Sequence, residues 1–361
     1  MTPSPAEPAM SDAPQRFTEA RREVVRRLFP EGIPSLWCPS LTHFTEGGAL
    51  DRPRMRAHLA SMFPHVRGFL LPGSTGEGWE LSDDEVRELV AFMAGEIRAL
   101  GGHLLVGALR PTVAEMLRAM RDAQAALGLP DTSDALDAFA ATSVCGFTLC
   151  PPAGATRTQE ELRAGLDEAL SLGAPVSLYQ LPQVTQNEMS AETLSWLAAN
   201  HPRFYLFKDT SGEDRVAASG FRDVFLVRGA EGGYAGHLAG NGGHYDGFLL
   251  STANCFGRQL AGMIEDVRRG RTDRAVAFSR TLTALAAEVF DLAGKVGFGN
   301  AFTNANKAMD HFFAHGPGAE DVVPPLLRSG RRLPRGLIQA AGDALRRHGL
   351  MPRQGYLSSA P

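Results

Sequence analysis

Short, almost continuously apolar runs alternate along this chain with longer stretches in which apolar residues recur every three or four positions. The runs are Ile33–Cys38, Gly68–Leu71, His103–Ala108, Gly146–Cys150, Pro175–Leu181, Tyr205–Lys208, Val224–Arg228 and Gly247–Ser251. A strand covered on both faces reads this way, because neither face meets water; a half-exposed strand would alternate instead. The intervening stretches carry helical periodicity. Three of them open on the capping-box pattern, Ser82 with Glu85, Thr112 with Glu115 and Thr158 with Glu161. Eight strand-helix units between Gly32 and Arg269 predict an α/β fold, a (β/α)8 TIM barrel, which needs roughly 240 residues. An open doubly wound sheet is the competing arrangement. It would want a glycine fingerprint after its first strand, and Pro39-Ser40-Leu41-Thr42 is not one.

The rest of the chain divides around that barrel. Residues 1–15, rich in Pro, Ala and Ser, read as a disordered leader, and 16–31 as an N-terminal helix from Phe17 to Leu28. The barrel is expected over 32–269, with Gly128–Phe139 as an inserted loop. A C-terminal helical extension follows over 270–350, with helices at Arg274–Leu292, Thr303–Phe313 and Arg335–His348, and a tail over 351–361.

Charge and composition narrow the function. The 361 residues carry 36 basic and 40 acidic side chains, a net charge of -4, so no basic field exists to hold a nucleic acid. Neither a run of about 18 apolar residues nor a signal-peptide pattern is present, which argues against a membrane and places the chain in the cytoplasm. The four cysteines, Cys38, Cys145, Cys150 and Cys255, lack C-x-x-C spacing and read as reduced buried thiols. Lysine is the revealing residue type. Only Lys208, Lys295 and Lys307 occur among the 36 basic residues, so 36 - 3 = 33 are arginine. Arg cannot lose its proton and Lys can, so each surviving lysine calls for a local reason.

Active sites of such barrels lie at the C-terminal ends of the strands. After the second strand, Gly73-Ser74-Thr75-Gly76 brackets two hydroxyls with glycines, a turn that can hold a carboxylate and relay a proton, or serve only as a turn. The fifth strand ends with Tyr179, a candidate acid-base phenol or a packed aromatic. The sixth ends with Lys208, where desolvation would yield a nucleophilic amine, against the alternative of a lysine reaching out from a strand end. Asp209 beside it should point away. Residues 229–247 hold eight glycines without a nucleotide-binding pattern. His311 and His315 lie one helical turn apart with no third ligand and read as a packing pair, while Lys295 and Lys307 read as structural.

In this order and spacing, GSTGEGWELSDDE, SLYQLP, FKDTSG and DGFLLSTAN resemble the dihydrodipicolinate synthase and N-acetylneuraminate lyase superfamily of class I aldolases, over about residues 32–315. The resemblance implies Schiff-base chemistry on pyruvate or another 2-keto acid, with an aldehyde partner substrate, usually in a homo-oligomer (tetramer or dimer), and needs no metal or organic cofactor. Carried over by position, Lys208 resembles the imine-forming lysine and Tyr179 the proton-transferring phenol, with Thr75 in the relay. Ser74, with Gly73 and Gly76, is similar to the carboxylate-binding turn. Ser251 matches a pocket serine of the lyase branch, and Glu231 with Gly232 falls where that branch contacts a polyol chain. Two departures stand out. Val184 occupies the place of an arginine that binds the second substrate's carboxylate in synthases, and Cys150-Pro151-Pro152-Ala153 replaces a tyrosine pair. Both argue against lysine biosynthesis, although Arg110 and Arg157 lie on other loops near the site. The alternative from another class is a non-catalytic barrel kept as a small-molecule sensor or assembly scaffold.

Overall fold

The computed structural model describes residues 16–130 and 136–358; the expected leader over 1–15, part of the inserted loop and the last three residues lie outside them. Eight parallel strands close into a barrel in sequence order. They are β1 (Leu36–Pro39), β2 (Gly68–Leu71), β3 (His103–Gly107), β4 (Val144–Leu149), β5 (Val176–Gln180), β6 (Phe204–Asp209), β7 (Phe225–Arg228) and β8 (Gly247–Leu249). The (β/α)8 barrel expected from the apolar runs is therefore the fold. β1 closes on β8 through Leu36 opposite Phe248 and Trp37 opposite Leu249. Every strand is buried along nearly its whole length, since side chains fill the interior and helices cover the outside. Gly68 is required by packing: a Cβ there would lie 2.3 Å from the fully buried Trp37 ring.

Local rules explain most helix starts. Ser82 and Thr158 form complete capping boxes with Glu85 and Glu161. The third is half made. Thr112 accepts from the Glu115 N–H, but its own hydroxyl donates to the Glu115 carboxylate at 2.6 Å instead of leaving that carboxylate to the N-cap N–H. Within the expected loop 128–139 a short helix, Leu136–Ala140, forms where Phe139 packs against Phe147 of β4.

The N-terminal helix Glu19–Leu28 seals the end of the barrel where the strands begin. Buried Arg21 donates to the carbonyls of Phe204 at 2.7 Å and Asp223 at 3.0 Å, and also to that of Ala198. Phe29 packs against Trp37, His103 and Tyr205. The opposite end is left open. Beyond the barrel run Thr272–Gly294, Ala301–His315 and Arg335–Arg347, and the second of these turns its first turns toward the open end. No helix among the described residues is long and apolar enough to cross a membrane.

Candidate active site

At the open end lies a small pocket. Ser74, Thr75, Tyr179, Lys208 and Ser251 line it, together with Pro39, Thr210, Gly229 and Phe302. Five of the residues singled out in the sequence thus come together from four strand ends.

Register explains the core pair. Tyr179 on β5 stands opposite Lys208 on β6, and paired residues of adjacent strands point to the same face, here the interior. The Lys208 Nζ sits 3.8 Å from the centre of the Tyr179 ring. Lys208 is 4% exposed, and burial lowers its pKa to about 7 even though Cys150, Glu231 and Cys38 act in the opposite direction. Burial likewise pushes the Tyr179 phenol up, partly offset by the hydroxyls of Ser74 and Thr210. Asp209, one residue on, faces outward as alternation requires. Its carboxylate accepts from the Ser211 hydroxyl at 2.7 Å and from the Tyr245 hydroxyl at 3.2 Å.

The Gly73–Gly78 loop is folded on itself, with the Gly73 carbonyl accepting from the N–H groups of Gly76 and Gly78 at 3.0 and 2.9 Å. Gly76 has no room for a side chain, since a Cβ would lie 2.5 Å from the Ser40 carbonyl oxygen. Gly73 and Gly76 therefore shape the turn rather than line the pocket. The Ser74 Oγ accepts from the Trp79 indole N–H at 2.9 Å, and its hydroxyl lies beside the Tyr179 phenol. The Thr210 hydroxyl is buried against the same phenol, without a well-formed hydrogen bond to any described residue.

Sequence reading missed how this loop is held. The helix Ala301–His315 reaches it along one face: Asn300, its N-cap, and Thr303 donate to the Ser74 carbonyl at 3.2 and 3.3 Å, and Thr303 to the Thr75 carbonyl at 3.0 Å. One turn further, the Lys307 Nζ meets the Glu77 carboxylate at 2.5 Å. Phe302, between them, reaches the pocket itself. Lys295, by contrast, makes only an exposed pair with Asp291 at 2.6 Å.

Glu231 and Gly232 stand behind the pocket wall. The Glu231 carboxylate accepts from Ser251, Thr252 and Tyr234, and the Gly232 carbonyl accepts from Arg228 at 2.9 Å. The two arginines of neighbouring loops are engaged elsewhere: Arg110 with Asp83 at 2.7 Å, Arg157 with Glu161 at 3.5 Å. His311 is buried and bonds the Ala319 carbonyl at 2.8 Å, its ring 5.0 Å from that of His315. His43, His58 and Asp310 form the tightest buried grouping of metal-ligand types among the described residues. His43 bonds His58, His58 bonds the Asn254 carbonyl, and Asp310 accepts from Arg54 and Tyr356, so the three sit in one buried hydrogen-bonded cluster. All four cysteines are free and buried.

Comparison with known proteins finds relatives of one family and one fold. The sequence profile of the dihydrodipicolinate synthetase family matches residues 124–297. A 4-hydroxy-tetrahydrodipicolinate synthase of Xanthomonas axonopodis pv. citri is 32% identical over 251 residues, 67% of this chain and 75% of that protein. One from Agrobacterium fabrum is 27% identical over 278 residues, 75% of this chain and 86% of that protein. Among solved structures, dihydrodipicolinate synthase from Aquifex aeolicus superposes with a TM-score of 0.68 at 16% identity, over 88% of this chain and 99% of that one. CdNal from Clostridium difficile, in complex with mannosamine, gives 0.67 at 16% identity, over 87% and 98%. At such identities the structural likeness is one of fold.

Proposed function

The chain belongs to the dihydrodipicolinate synthetase family, and from that premise we propose that it is a Schiff-base-forming lyase acting on pyruvate or another 2-keto acid. The observation that carries the reading is Lys208, a buried primary amine with a pKa lowered to about 7 beside a phenol and several hydroxyls. Such an amine is about half neutral at pH 7 and therefore nucleophilic. In this reading the Lys208 Nζ bonds to C2 of the keto acid, and the carbonyl oxygen leaves as water. The protonated imine then draws electrons from the C3–C4 bond in cleavage; in the reverse direction the enamine adds to an aldehyde. Tyr179 and Thr75 carry the protons, and the Ser74 hydroxyl meets the substrate carboxylate. The residues assigned to the chemistry require neither a metal nor an organic cofactor.

The second substrate is, in the same proposal, not aspartate semialdehyde. That aldehyde brings another carboxylate, which costs several kcal/mol to bury without a cation. Val184 offers none, and Arg110 and Arg157 are paired with Asp83 and Glu161. A cytoplasmic homo-oligomer, dimer or tetramer, completes the reading and is checked by light scattering. Incubation with pyruvate and borohydride, followed by digestion and mass spectrometry, should place a reduced adduct on Lys208. An adduct on Lys295 or Lys307, or none with any 2-keto acid, would overturn the assignment. A condensation assay with pyruvate and aspartate semialdehyde should give negligible product; turnover of about 1–10³ s⁻¹ would refute the second part.

A further inference from the structure

The loop after β7 carries Glu231 between Lys208 on β6 and Ser251 just past β8. Its Oε1 accepts from the Ser251 hydroxyl at 2.6 Å and the Thr252 N–H at 3.0 Å. Its Oε2 accepts from the Thr252 hydroxyl at 2.8 Å and the Tyr234 hydroxyl at 2.9 Å. A carboxylate has about four lone-pair sites, so protein donors fill this one, and it is not open to the hydroxyls of a ligand. Ser251 nevertheless lines the same pocket as Lys208. Its single proton goes to Glu231, so toward the pocket it turns lone pairs only, with an anion directly behind them.

The other titratable groups that act on Lys208 are the thiols of Cys38 on β1 and Cys150 after β4, and the Tyr179 phenol on β5 packs against it. Burial pushes all three upward, so all are neutral at pH 7. Asp209 faces away toward Ser211 and Tyr245. Among the carboxylates of the described residues, Glu231 is thus the one whose charge acts on the Lys208 amine. Tyr234 and Thr252 hold it from the far side.

We propose that Glu231 is a positioning residue that acts through Ser251 as the counter-anion of the protonated imine formed at Lys208. The inference rests on the Schiff-base reading above. When the C–N bond forms and water departs, the nitrogen must keep a proton to draw electrons from the neighbouring carbon. A fixed anion in a dry site favours that cation without reorganising as it appears. Four donors on Glu231 supply the fixing, and the Ser251 oxygen carries the polarisation to the pocket.

The test follows the initial rate of borohydride trapping with pyruvate against pH, in the unsubstituted protein, in Glu231→Gln and in Ser251→Ala. Borohydride reduces the protonated imine, so the rate falls on the alkaline side as that proton is lost. Removing the anion makes the proton easier to lose. The alkaline limb of Glu231→Gln should therefore move down by roughly one to two pH units, the size of a single-charge effect in a buried site. Ser251→Ala should move it in the same direction by less. Adduct formation with an unmoved limb in both variants overturns the inference alone. If Glu231→Gln does not fold, an unmoved limb in Ser251→Ala is sufficient to overturn it. Absence of an adduct in the unsubstituted protein removes the Schiff-base reading, and this inference with it.

Discussion

Replacing Lys307 by Met should weaken the fold more than a surface change of the same size, because it strands a charge that has no route to water. Lys307 is fully buried, with its Nζ 2.5 Å from Glu77, 2.8 Å from the Leu326 carbonyl and 4.9 Å above the Phe44 ring centre. Glu77 is 4% exposed, and without the lysine its carboxylate keeps only the Arg328 N–H at 2.7 Å. Breaking a buried pair from one side costs about 3–5 kcal/mol. At about 2 °C per kcal/mol, the low end for domains larger than 150 residues, the midpoint of thermal unfolding should drop by roughly 6–10 °C. The double variant Lys307→Met with Glu77→Gln removes both charges and should recover most of that loss, since a neutral pair carries no uncompensated charge. Glu77 also sits at φ 62, a left-handed conformation unfavourable for a side chain, in the loop that carries Ser74 and Thr75. Loosening it should raise KM for the keto acid. Scanning fluorimetry at fixed protein concentration reads the first effect, and initial-rate kinetics the second. A single variant melting within 2 °C of the parent, or a double variant no better than the single, would refute the reasoning.

Two further outcomes follow from the pocket. Lys208 has its pKa lowered to about 7, mainly by burial, so between pH 7 and 10.5 the unfolded chain holds more protons than the folded one and stability rises with pH over that window. Lys208→Met should therefore stabilise the protein by roughly 2–4 kcal/mol at pH 7, and by less as the pH approaches 10, while abolishing imine trapping; chemical denaturation at pH 7 and pH 9.5 checks both sign and trend. Gly229→Ala would put a Cβ 2.2 Å from the Thr210 Oγ1 and 2.6 Å from the Lys208 Cε. Trapping at Lys208 should slow by at least about tenfold, with the melting temperature little changed, because the crowded atoms belong to side chains that can swing into the pocket.

The sequence alone determined the barrel, because burial on both faces of every strand leaves a mark that needs no partner to be read. β2 runs Gly68–Leu71 as its apolar run does, and the other strands differ from theirs by up to three residues at their ends, where most residues stay buried and the hydrogen-bonded ladder alone sets the boundary. It also singled out Lys208, since in a chain with 33 arginines a lysine at a strand end is a chemical choice. Local patterns stop at contacts between distant segments. Nothing near Lys307 in the sequence indicates Glu77, 230 positions earlier, and nothing in the glycine-rich stretch after β7 indicates that Glu231 would be saturated by Ser251, Thr252 and Tyr234. Pro39 and Phe302 line the pocket without belonging to any recognisable pattern. Periodicity records whether a residue is buried, and only the closed barrel, with the helix Ala301–His315 laid against its open end, decides against what.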